Sequence, residues 1–407
     1  MTGDFAWTEE PRVRAVMDAL GARGEARFVG GCVRDSLLGR PPAGLAGEGA
    51  AGTTDIDVAT TLPPEETTAA LEAAGLSAHP TGIEHGTVTA VSGGLPVEVT
   101  TLRADVETDG RHAVVRFTTD WDEDWRRRDF RVNAIYRGAD GALYDPAGGV
   151  ADLRAARVRF IGEAARRIEE DALRILRFFR FSARYAERLD EGGLAACEAG
   201  AALMAPLSKE RLWQETARWF SAPRAPMSFE AADGAGILER LVASGRDLAA
   251  FSRLHEVRRG EVPPALGLCA LWPGAETRVF KAAFKPSGAV LARVDAARKA
   301  SDALPDGEGT ALRRALYRAG PEALSDALTL AFARSGAARW LALRDAAAAL
   351  DTPVFPLRGR DLTARGVTPG PELGRLLAAI EARWIDAGLP ADPTAVEAMA
   401  RDVLRKA

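Results

Sequence analysis

Hydrophobic and polar positions change their period near residue 150. Before that point, short β-type runs occur at Ala26–Val29, Ile56–Ala59, Gly86–Val91, Pro96–Leu102 and Val114–Thr118. Helical spacing appears between them at Val13–Leu20 and Glu65–Ala74, and Gly93-Gly94, Asp109-Gly110 and Asp140-Gly141 read as turns. From Ala151 onward, alanine, leucine and arginine recur at helical spacing. Gly/Pro clusters at Ser221–Pro226, Pro263-Pro264 and Pro369–Pro371 divide that stretch into helices. The pattern predicts an α+β head over residues 1–150, a helical segment over 151–225 and further helices over 226–407. No solenoid-type repeat is visible. Residues 41–54, rich in Gly and Ala, are expected to form a surface extension.

Composition removes several function classes. The 407 residues, 47% hydrophobic and 27% charged, suit packed domains, and no apolar run approaches the roughly 18–20 residues of a membrane span. The acids near the N-terminus do not fit a secretory signal, so a cytosolic, membrane-free protein is expected. Three distant cysteines and four scattered histidines argue against a disulfide scaffold, a zinc site or a histidine–aspartate phosphohydrolase domain. Net charge is −4, yet 15 arginines stand against 10 acids between Arg126 and Asp190. Such a stripe draws in a phosphate-bearing ligand, although a salt-bridged, solvated helix face has the same composition.

Candidate chemistry gathers in the head. Phe28-Val29-Gly30-Gly31-Cys32-Val33-Arg34-Asp35 is a strand running into paired glycines and a helix start. Gly30 and Gly31 would let backbone approach a phosphate, with Arg34 adding charge; a plain turn reads the same way. In Asp55-Ile56-Asp57-Val58 the two aspartates share one strand face, roughly 7 Å apart at Cβ. They can converge on two divalent cations about 3.5–4 Å apart, and Mg²⁺ suits such hard oxygen ligands. An isolated pair of this kind also occurs at strand ends and helix caps. Glu98, alternating with Val97 and Val99, is a candidate third acid, and Arg103 a phosphate contact. Arg126-Arg127-Arg128 is a candidate triphosphate clamp, with Asp129 and Asn133 one helical turn apart. Over 166–186 a single helix is expected, with Glu170, Arg174, Arg177 and Arg184 on one arc and Asp171 at its margin. An Asp–Arg pair there can read the hydrogen-bonding edge of a base, or form a salt-bridge ladder.

The order of these motifs resembles the nucleotidyltransferases that include class II CCA-adding enzymes and bacterial poly(A) polymerases. Later pieces continue the likeness: Asp145–Leu153 resembles the DPxGGxxDL connector, Glu170–Arg177 the EDxxRxxR helix and Ser208–Arg211 the SxER element. The likeness covers about residues 28–215; beyond 250 no motif is placed.

The resemblance implies a polymerase-β-like head, an all-α neck, body and tail, and two Mg²⁺ ions on Asp55 and Asp57. It implies CTP and ATP as donors, the tRNA 3′ end as acceptor, and tRNA contacts in the helical body. Asp171 and Arg174 would pair with the incoming base, Glu170 would orient Arg174, Arg177 would lie near the triphosphate and Asp129 would meet the ribose. A specificity loop would lie within Arg103–Phe117, where Ala113 replaces the usual proline after Asp109, Arg111 and His112. Gly82–Thr89 resembles the GxxHGTVT strand of the CCA branch rather than the arginine-rich turn of poly(A) polymerases. Poly(A) addition, partial CCA addition and a catalytically dead RNA-binding head remain as alternatives.

Overall fold

A computed structural model describes residues 3–42, 56–108 and 113–406. Asp55, the Asp109–His112 stretch and most of the 41–54 extension lie outside these residues. The chain divides into two compact units, Met1–Leu241 and Val242–Ala407.

The first unit is built on a seven-stranded sheet of order β3-β4-β5-β2-β1-β8-β9. Its strands are β1 (Ala26–Val29), β2 (Asp57–Thr60), β3 (Ser77–Gly82), β4 (Thr87–Ser92), β5 (Leu95–Thr101), β8 (Tyr136–Gly138) and β9 (Leu143–Tyr144). Only β2 and β5 run parallel; the other pairs are antiparallel. The strands β6 (Arg103–Thr108) and β7 (Ala113–Phe117) form a separate hairpin, so the stretch expected to hold a loop has strand-paired flanks. Alternation sorts the faces as the pattern predicts: Ile56, Val58, Val97 and Val99 are buried, while Glu98 is exposed. Helices α1 (Pro11–Gly21) and α3 (Pro64–Ala73) cover the sheet through Val13, Val16, Leu20 and Leu71. Between them in sequence, α2 (Gly31–Leu37) follows β1 directly.

Short α4 (Trp121–Arg126) and α5 (Gly149–Arg154) follow the hairpin and β9. Asp145 caps α5 by accepting from the Gly149 and Val150 N–H groups at 2.7 and 2.9 Å. A side chain at Gly149 would put its Cβ 2.2 Å from the Arg131 carbonyl oxygen, so only glycine lets this connector lie against the 131–133 turn. The connector therefore fixes the Asp129–Asn133 segment from behind.

The expected single helix over 166–186 is two: α6 (Ala164–Glu170) and α7 (Leu173–Tyr185). Asp171 breaks it with extended backbone, φ −155° and ψ 102°, because its Oδ1 accepts from the Leu173 N–H at 3.1 Å. Ala172, Ile175, Phe179 and Ser182 face inward as the spacing requires. Helices α8 (Glu191–Ala199), α9 (Lys209–Phe220), α10 (Ala225–Gly234) and α11 (Ile237–Leu241) complete the unit. Trp219 stacks on Phe229 with centroids 3.9 Å apart and on Phe179 at 5.5 Å, tying α9 and α10 to α7.

The second unit is helical from α12 (Leu248–Val257) and α13 (Pro264–Leu271) to α20 (Pro371–Asp386) and α21 (Pro393–Lys406). Between these lie α14 (Thr277–Ala283), α15 (Gly288–Ser301), α16 (Thr310–Ala319), α17 (Pro321–Ser335), α18 (Arg339–Ala348) and α19 (Gly359–Thr363). One core layer is Leu312, Leu316, Leu324, Leu328 and Leu343; another is Leu362, Leu376 and Ile380. No helix among the described residues is long and apolar enough to cross a membrane.

Candidate active site

The sheet, α2, α7 and α9 enclose an open cleft of about 510 Å³. Gly30, Gly31, Arg34, Asp57, Arg128, Asp129, Asn133, Asp171, Arg174 and Arg177 all line it, joined by Arg127, Arg180, Phe181 and Arg218. Seven arginines against three carboxylates make it a strongly cationic concavity inside a chain of net charge −4.

At one side, β1 ends in Gly30 with φ 73° and ψ −132°, a conformation open to glycine alone. A Cβ there would lie 3.1 Å from Asp57 Oδ2, so the missing side chain leaves the carboxylate accessible. Asp57 opens β2 and stands in register with Glu98 on β5, which puts two acids side by side on adjacent strands. Cys32, beneath the turn, is buried. Burial, and then the neighbouring Asp57, push its thiol up to about 12, so it packs as a small apolar group rather than a nucleophile. Among the described residues no three His, Cys, Asp or Glu side chains form a metal-holding group, and Asp55 lies outside them. Arg103 lies outside the cleft lining; its Nη1 donates to the His85 carbonyl at 2.6 Å and anchors the foot of the hairpin.

A buried hydrogen-bond chain runs behind the cleft wall. Arg34 donates from Nη1 to Asn133 Oδ1 at 2.5 Å, and from Nε and Nη2 to Asp35 at 3.1 Å each. Asn133 Nδ2 donates to Asp129 Oδ1 at 2.9 Å, and Arg177 Nε donates to Asp129 Oδ2 at 2.7 Å. Asp129 and Asn133 meet through a 3₁₀ turn at Arg131–Asn133 rather than the α-helical turn expected. Burial alone would push the Asp129 carboxyl up, but Arg177, Asn133 and the Phe130 N–H outweigh it and hold it below the usual carboxylate range.

Of the three consecutive arginines, Arg126 ends α4, and Arg127 and Arg128 follow it in the turn beyond. Arg126 is exposed and pairs with Asp122. Arg127 and Arg128 share Asp124, whose side chain is 1% exposed and also accepts from the Tyr136 hydroxyl at 2.7 Å. Burial opposes ionisation there, yet Arg128, Arg127 and Tyr136 hold the Asp124 carboxyl far below the usual range. One buried acid thus aims two guanidinium groups into the cleft; sequence reasoning did not single out Asp124.

At the helix break, Asp171 Oδ2 accepts from Arg211 Nη2 at 2.6 Å, a contact from α9. Arg174 is fixed by Glu170 at 2.7 Å and by the Arg167 and Arg127 carbonyls at 2.9 and 3.0 Å. Both groups therefore have defined positions before any ligand arrives.

A cationic cleft beside a glycine turn and strand-borne acids is the arrangement of a nucleotidyltransferase head. The Poly A polymerase head domain family matches residues 26–159, and a tRNA nucleotidyltransferase domain 2 family matches residues 265–400, where no motif was legible. The mitochondrial CCA tRNA nucleotidyltransferase 1 of Danio rerio is 45% identical over 195 residues, 47% of this chain and 43% of that one. The chain thus spans less than half the length of that relative. The CCA-adding enzyme of Limosilactobacillus fermentum is 30% identical over 378 residues, covering 90% of both chains. The crystal structure of the Bacillus stearothermophilus CCA-adding enzyme in complex with CTP superposes with a TM-score of 0.74 at 28% identity, covering 98% of this chain and 99% of that one. This chain belongs to the family of CCA-adding enzymes.

Proposed function

We propose that the chain adds CCA to the 3′ end of tRNA, taking CMP and AMP units from CTP and ATP. The observation that carries this reading is one cleft shared by the Gly30–Asp57 corner, seven arginines and the fixed Asp171–Arg174 pair. The first can hold a triphosphate beside acids, and the last offers acceptors and donors for a base edge. The relative that matches along nearly its whole length is named a CCA-adding enzyme, and the Bacillus stearothermophilus structure contains CTP.

In this reading the RNA 3′-hydroxyl attacks the α-phosphorus. The new P–O bond forms as the α–β bond breaks, pyrophosphate leaves with the electron pair, and the hydroxyl proton passes to a neighbouring carboxylate or water. Gly30 and Gly31 admit the polyphosphate against backbone, with Arg34 beside them. Arg128 is anchored through Nε and Nη2, leaving Nη1 for a phosphate. Asp129, whose oxygens are held by Arg177, Asn133 and the Phe130 N–H, would meet the ribose from a fixed position. Asp171 and Arg174 select the base, and because both are already fixed, little ordering cost falls on binding.

Asp57, with Asp55 two residues earlier and Glu98 in register on the next strand, would hold two Mg²⁺ ions; these hard oxygen donors fit a hard cation. Bound ions supply charge neutralisation and a more acidic 3′-hydroxyl. The experiment is single-turnover incorporation of labelled CMP into a tRNA transcript lacking its CCA end. Asp57→Asn should lower the rate by at least about 10³ while CTP still binds. Wild-type-like incorporation by the variant would contradict the assignment.

A further inference from the structure

The second unit carries a hollow that the helices around it do not close. It measures about 570 Å³ and lies among α15, α16 and the start of α17. Its floor is Ala300, Ala315 and Leu324, all buried, with Leu304 of the α15–α16 connection beside them. Ala300 and Ala315 stand where larger side chains would fill the space between α15 and α16. An apolar floor is therefore left short of packing partners. A volume of this size suits a small organic ligand.

Four charged side chains line the same hollow. Arg314 is spent, donating to the Ile385 carbonyl at 2.8 Å and to that of Asp386. Lys299 and Arg318 are exposed, and neither has a hydrogen-bond or ion-pair partner among the described residues. Asp306 is the acid among the four, also exposed and paired with neither cation. An apolar floor under two uncommitted cations is complementary to an anion with an apolar body. A guanidinium fork matches a carboxylate through two parallel N–H donors, and Asp306 disfavours the second charge of a phosphate monoester. We propose that this hollow binds a small aryl carboxylate, its ring on the Ala300–Ala315 floor and its carboxylate on Arg318 and Lys299. The site lies wholly within the second unit and does not rest on the CCA-adding reading.

The test is calorimetric titration of the full chain with 2-naphthoate, its neutral amide and acetate. One equivalent of 2-naphthoate should bind, with the amide at least about tenfold weaker and acetate giving no saturable heat. Arg318→Ala, at an exposed position, should weaken 2-naphthoate about tenfold and leave the amide within about twofold. Arg318→Lys should recover part of the loss. Ala303→Trp, at an exposed position of the lining, should occupy the hollow and remove binding of both aryl compounds, with thermal unfolding unchanged. Absence of saturable 2-naphthoate binding by wild type would overturn the proposal, as would binding that neither Arg318→Ala nor Ala303→Trp alters. So would a tRNA affinity about tenfold lower in Arg318→Ala at unchanged 2-naphthoate binding, which would assign this corner to RNA. A wild-type chain inactive in CCA addition, yet binding 2-naphthoate through Arg318, would sink the activity reading and leave this site standing.

Discussion

Asp124 shows how much one residue can carry. It neutralises Arg127 and Arg128 in a buried position and binds the Tyr136 hydroxyl. Asp124→Asn leaves two partly buried cations short of their counter-charge, so a loss of about 3 kcal/mol in denaturant-monitored stability at pH 7 is expected. The pH dependence has a definite sign. Asp124 and Asp129 both titrate below the unfolded value of about 3.9, so the folded chain binds fewer protons there. Their contribution is complete above about pH 5 and is lost as pH falls through the folded values. The stability gap between wild type and Asp124→Asn should therefore narrow from pH 5 to pH 3; a constant gap would contradict the charge argument. Gly30 carries a different burden. With φ at 73° and Asp57 Oδ2 3.1 Å from the would-be Cβ, Gly30→Ala should cost about 1–3 kcal/mol and lower kcat/KM for nucleotide incorporation at least about tenfold. Unaltered kinetics would show that the close approach is not used.

At the scale of elements, the informative place is the break between α6 and α7. The i, i+3/i+4 pattern of Glu170, Arg174 and Arg177 continues straight through Asp171, so nothing local in the sequence marks an interruption. The break comes from a side chain bonding its own backbone and from Arg211, forty residues on. Strand β1, by contrast, was legible to the residue, because Ala26–Val29 is bounded by a turn and paired glycines. The same contrast runs through the site. Asp57, Arg34 and Arg177 were readable because motif order and periodicity put them on known faces. Arg180 repeats the three-residue spacing of Arg174 and Arg177, and that signal was available. Asp124 pairs with Arg127 and Arg128 at i,i+3 and i,i+4, a local signal that was also available. Arg211 was legible as part of the Ser208–Arg211 element, but its contact with Asp171, like those of Glu215 with Arg177 and Arg180, crosses tertiary structure that no local period encodes. Arg211→Ala should leave the fold in place but release Asp171, reducing discrimination of CTP over UTP about tenfold in kcat/KM. Retained discrimination would mean that Asp171 is oriented by its backbone alone.

Across the whole molecule, a chain of net negative charge gathers seven arginines in one cleft, which favours a phosphorylated ligand there without general nucleic-acid coating. The second unit has a tRNA nucleotidyltransferase domain match and scattered cations, but not all of these are available. Arg253 donates to the Ala333 and Arg334 carbonyls, and Arg258 to that of Glu261, whereas Lys281 and Lys299 are exposed. If about four phosphates are neutralised, tRNA affinity should fall about a hundredfold between about 50 and 200 mM salt. A flat salt profile would remove the electrostatic footprint. The central claim is tested most directly by extending a tRNA transcript that lacks CCA, with Mg²⁺ and with CTP and ATP separately and together, resolved at single-nucleotide length. The expected result is two additions with CTP alone and a stop after three with both. A long ladder with ATP alone, or no extension by a chain that still binds tRNA, would contradict it.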